Sequence, residues 1–103
     1  MQAPVHILVQ AGLAPARDLA ASFAASLTAA GITHTLSHEA ALLDPARVQR
    51  LLARKPDARL IGVTDDASAV VVQALAASRG QTCVQHRQHR IDTTHLASFV
   101  IRL

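Results

Sequence analysis

The sequence predicts a small doubly wound α/β domain, and three observations carry that prediction. Two short apolar runs, Val5-His6-Ile7-Leu8-Val9 and Leu60-Ile61-Gly62-Val63-Thr64, read as strands buried on both faces. Each is followed by a segment with helical spacing and helix-start chemistry, the repeating unit of a parallel sheet. At 103 residues the chain fits one domain, 1–103, and is too short for two that fold independently.

The first run ends at Gln10-Ala11-Gly12, and Pro15 stands where a first helical residue belongs. Leu19, Phe23 and Leu27 recur every fourth residue, which predicts an amphipathic helix with Phe23 and Leu27 in the core. Gly31 closes that helix as a left-handed cap. Residues 32–37 alternate apolar and polar, the pattern of an edge strand. Asp44-Pro45 is an N-cap followed by a first-turn proline; Val48, Leu51 and Leu52 then line one face until Pro56 stops the helix. Asp65 or Asp66 caps a third helix through Val70, Val71, Ala74 and Leu75, which ends at Gly80. A fourth strand is expected over Thr82-Cys83-Val84-Gln85-His86. For 96–103 helix and strand compete; the short connection favours a strand running antiparallel beside the fourth. Right-handed crossovers then give a Rossmann-like or flavodoxin-like three-layer domain with a mostly parallel sheet in the order 2-1-3-4 and an antiparallel last strand.

Composition narrows the function classes. Half of the residues are apolar and 17% are charged, which are globular values and exclude wholesale disorder. No apolar run approaches the roughly 20 residues that span a bilayer, and Met-Gln-Ala-Pro has no basic leader, so a soluble cytoplasmic domain is expected. A single cysteine, Cys83, excludes an internal disulfide and a cysteine zinc knuckle, and reads as a small core residue. Alanine supplies 21 residues against 13 Leu and 2 Phe, so helices must pack closely around a thin core. Such a core invites support from a second subunit, and the apolar Phe99-Val100-Ile101 predicts a homodimer whose interface borders the histidine-rich stretch. The excess of Arg over Lys follows GC-rich, bacterial-type codon usage, so the net charge of +3 is weak support for nucleic acid. A basic stretch at 44–59 holds Arg47, Arg50, Arg54, Lys55 and Arg59 without aromatics and reads as a solvated face.

In doubly wound sheets ligands bind beyond the carboxyl ends of the strands where the order reverses. That crevice would lie between Gln10-Ala11-Gly12 and Thr64-Asp65-Asp66. Gly12 and Arg17 there precede or open a helix, whose free N–H groups favour anions. The glycines stand at 12, 31, 62 and 80, so neither a dinucleotide fingerprint nor a P-loop can be written, and the sequence leaves any cofactor unknown. Asp65 and Asp66 could hold a divalent cation or simply cap a helix. A phosphoreceiver would want acids after the first strand and a late lysine; Gln10 and the absence of Lys beyond 55 argue against one.

The most unusual stretch runs from His86 to His95. His86, Arg87 and Arg90 could grip a phosphate or carboxylate. As an irregular loop, His89, Asp92 and His95 could converge on a metal; as a strand, neighbouring positions face opposite ways. The leading expectation is a non-catalytic α/β domain binding a small anionic ligand or a protein partner through Gly12, Arg17, Asp65, Asp66, His86, Arg87 and Arg90. The alternative is a metal-assisted hydrolase or phosphoryl-transfer enzyme using Asp65 or Asp66 with the His86–His95 segment.

Overall fold

The computed structural model describes residues 4–53 and 58–103. Arg54, Lys55 and Pro56, which the sequence reading used for the basic stretch and the second helix stop, lie outside the described residues. The elements run β1 (Val5–Gln10), α1 (Ala14–Ala29), β2 (His34–Glu39), α2 (Pro45–Leu52), β3 (Arg59–Thr64), α3 (Asp66–Ser78), β4 (Thr82–Ile91) and β5 (Thr94–Arg102). Asp44 and Asp65 cap α2 and α3 by accepting from the Ala46 and Ser68 N–H groups, as their sequence positions predict. Gly31, at φ 72, turns the chain out of α1 in the left-handed region that favours glycine. None of the described helices is long and apolar enough to cross a membrane.

The protein is an α/β fold built on a mixed five-stranded sheet in the order β2-β1-β3-β5-β4. β1 pairs in parallel with both β2 and β3, so the expected 5–10/60–64 pairing and the edge position of the second strand are both present. β5 runs antiparallel to β3 and to β4. The order 2-1-3-4 expected from sequence is therefore corrected: the last strand inserts between the third and the fourth. Burial is the physical reason. β5 carries Leu96, Ala97, Phe99 and Ile101, all buried, while β4 is exposed along nearly its whole length. An apolar strand gains most in the interior and a polar one loses least at an edge.

Two cores flank the sheet. On one face Leu8, Leu60, Ala97, Phe99 and Ile101 meet Val48, Leu51 and Leu52 of α2 and Ala69, Val72 and Ala76 of α3. On the other Ile7, Val9, Val63 and Leu96 meet Ala16 and Ala20 of α1. The α1 contact is made by small side chains, so the helix lies close and its larger residues flank the seam. Phe23 and Leu27 are accordingly half-buried, where the helical period predicted core positions. Phe99 is 1% exposed and Ile101 0%, covered by the chain's own helices. The Phe99 and Ile101 face of the strand that motivated a homodimer is thus covered within the chain, while Val100 on its other face is half-buried.

Candidate functional site

The crevice between the carboxyl ends of β1 and β3 is bridged. Gln10 donates through Nε2 to Asp65 Oδ2 at 3.0 Å, and the Asp65 N–H donates to Gln10 Oε1 at 2.8 Å. Asp65 Oδ1 accepts from the Ser68 N–H at 2.7 Å. Burial alone would raise the Asp65 carboxyl, but hydrogen bonds from Gln10 and from the Ser68 N–H and hydroxyl outweigh it and hold the group below its ordinary value. Both oxygens of this carboxylate are engaged by the protein itself, in the work of a helix cap and a strand-to-strand tie. Asp66, one residue on, is exposed in the first turn of α3.

Gly12 and Arg17 line a separate, shallow cleft of about 490 Å³ with Gln10, Ala11, Leu13, Ala14 and His38. Arg17 is largely exposed, and its 3.9 Å approach to Asp18 is a weak surface pair. A second carboxylate near this end of the sheet is also committed. Glu39, at the end of β2, is buried and accepts from Arg47 Nε at 3.2 Å and from Nη2 at 2.8 Å. Arg47, read from sequence as part of a solvated face, in fact ties β2 to α2 through a two-pronged ion pair.

The segment 86–95 is no irregular loop. β4 continues to Ile91, only Asp92 and Thr93 form the turn, and Asp92 takes a left-handed φ of 56. Directly paired residues share a face, and the face alternates along each strand. His89 pairs with Leu96 and so lies on the α1 side, whereas His95 pairs with Arg90 on the opposite side. Asp92 sits at the tip. The strand geometry therefore separates His89, Asp92 and His95, and among the described residues no group of three His, Cys, Asp or Glu side chains is placed to hold a metal. His89 instead bonds Ser98 Oγ at 2.7 Å, and His86 Nδ1 accepts from Gln73 of α3 at 2.8 Å.

What the structure does assemble is a cationic edge. His86 and Arg90 lie on one face of β4, Arg87 and His89 on the other, and Arg87 and Arg90 are exposed. No Asp or Glu occurs between residues 82 and 91. On the α1 side the strand borders a groove of about 200 Å³ where α1 stops short of the sheet edge. Phe23, Ile61 and Val100 form its apolar floor; Gln85, Arg87, His89 and Ser98 form its polar rim. Three of the sequence-derived anion ligands, His86, Arg87 and Arg90, are thus on one strand. β5 separates them from β3, which leads into Asp65 and Asp66, and Gly12 and Arg17 stand beyond β1.

Sequence reasoning missed the groove, whose floor joins α1, β3 and β5, although the half-filled apolar stripe of α1 was a signal for it. It also placed Cys83 in the core. Cys83 is exposed, on the edge strand, with Sγ directed to the Gln85 carbonyl at 3.4 Å. His6 bonds the Thr35 and Ser37 hydroxyls, in keeping with a packed histidine. No protein-family model matches the chain, and no curated protein is significantly similar to it.

Proposed function

We propose that this chain is a non-catalytic α/β domain that binds an anionic ligand or protein partner at its cationic β4 edge, on a variant of the Rossmann-like plan whose last hairpin returns inside the sheet. One observation carries the reading: Thr82–Ile91 is a long, exposed edge strand with Arg87, Arg90, His86 and His89 and no carboxylate. Among the described residues neither Arg87 nor Arg90 has a side-chain partner, and such guanidinium groups are available to carboxylate or phosphate. The adjoining groove gives such a ligand an apolar contact at Phe23, Ile61 and Val100. Less supports the enzymatic alternative: Asp65 is tied to Gln10 and Ser68, His89 and His95 face opposite ways, and only Asp66 of the acid pair is exposed.

The test is a titration of ¹⁵N-labelled protein with tripolyphosphate and with a glutamate-rich peptide. Amide shifts are expected to concentrate on 85–91 and to weaken steeply with salt. An Arg87→Ala/Arg90→Ala double variant should bind at least about tenfold more weakly, the loss of two charge-assisted hydrogen bonds. Shifts confined to the Gly12–Arg17 cleft, or none with either anion, overturn the reading.

A further inference from the structure

The β4 edge offers more than positive charge. Among the described residues it is the terminal strand of the sheet order, and one side of its backbone has no strand neighbour. Such a row of N–H and C=O groups is a template for another extended chain. Proteins commonly blunt exposed edges with bulges and charges. Here the irregularity is confined to Cys83/Gln85, and Gln85–Ile91 keep unbroken register with β5. Seven residues thus keep the regular pairing that a further strand would extend.

Charge decides which strand. A second copy of β4, related by a two-fold axis normal to the sheet, would pair antiparallel with it. In the register centred on Gln88, Arg87 would meet His89 of the copy and His86 would meet Arg90. Because 82–91 holds no carboxylate, no register offsets the four guanidinium groups, Arg87 and Arg90 of each chain, that two copies would bring to one seam, and uncompensated like charges along a shared edge oppose pairing. An acidic strand meets the reverse situation, with a cation or imidazole on each face of β4 for its alternating side chains. The same charges that reject self-pairing select this partner. Nucleic acid would use the cations but not the backbone row.

We infer that β4 takes up an acidic peptide segment in extended conformation, which adds to the sheet as a sixth strand beside Gln85–Ile91. This rests on the reading of β4 as the binding surface and specifies its partner.

The experiment uses the full chain and three octapeptides of alternating Glu and Thr: one unmodified, one with backbone N-methyl groups at alternate residues, and one N-methylated at every residue. All three carry the same charge. In a strand, successive N–H groups point to opposite sides, so alternate methylation leaves one edge free to pair with β4 and full methylation leaves none. The unmodified peptide is expected to shift the 85–91 amides and slow their hydrogen exchange. The alternately methylated peptide should bind nearly as well, and the fully methylated one at least about tenfold more weakly, the loss of several backbone hydrogen bonds. Equal binding by the unmodified and fully methylated peptides means charge alone and overturns the inference, as does an oligothymidylate that binds more tightly than the unmodified peptide. Tripolyphosphate shifting 85–91 while no peptide does so sinks the strand addition and leaves the anion surface standing; silence from every probe sinks both.

Discussion

At the scale of single residues, the closest steric dependence is between Gly62 and Phe99. The two are paired across β3 and β5, and the Phe99 ring lies over the Gly62 Cα. A Cβ built at Gly62 would collide with the Phe99 ring at Cζ. Glycine inside a strand often marks such a close approach, so the sequence held the signal without naming the partner. Gly62→Ala should therefore destabilise the fold by about 1–3 kcal/mol, the range for overpacking a filled core. In urea denaturation the double change Gly62→Ala/Phe99→Leu should cost less than the sum of the two single changes. Strict additivity would show that the ring does not press on that site. Asp65 gives a second residue-scale prediction. Its folded value is depressed, so its stabilisation is present in full above the unfolded range near ~3.9 and is lost as pH falls through the folded value. Asp65→Asn keeps a capping oxygen but cannot ionise. The stability advantage of the natural protein over this variant should shrink as pH falls from 7 to 3 in urea melts. A constant gap would mean that the charge contributes nothing.

At the scale of elements, the parts written in short-range chemistry could be read directly. Asp44-Pro45, Asp65 and Gly31 are local signals, and each cap or stop lies where its residue predicts. The continuous runs at β1 and β3 marked interior strands because a strand covered on both faces has no polar side to show. β4 was read too short. Its His and Arg residues resemble loop chemistry, and only pairing with the apolar β5 makes them strand. The order of β4 and β5 was not readable from local pattern either, since it depends on which hairpin arm gains more by burial. That comparison was nevertheless in the sequence: Phe99-Val100-Ile101 is apolar where His86-Arg87-Gln88 is not. For the site, the basic residues on β4 were singled out, but their grouping with Asp65 and Gly12 followed from a sheet order that placed β4 beside β3. Inserting β5 moves them one strand outward.

At the scale of the whole molecule, association follows from what the surfaces have left to satisfy. The expected homodimer drew on Phe99 and Ile101, and both are buried within one chain. β4 remains as the long open edge, and its charge has one sign. Two-fold pairing centred on Gln88 would bring Arg87 and Arg90 of both chains to one seam, with nothing anionic on either strand to compensate. Sedimentation equilibrium at tens of micromolar should accordingly return the monomer mass of 10.9 kDa. The argument can be inverted by one change. His89→Glu puts a carboxylate opposite Arg87 in that register, and the two-fold makes two such pairs at once, one from each chain. If the edge is kept from self-pairing by charge, this variant should shift toward the dimer mass and return to monomer in high salt, where exposed ion pairs are screened. A natural protein that is already dimeric through β4, or a His89→Glu variant that stays monomeric while its sheet remains intact by circular dichroism, would show that charge is not what keeps the edge open.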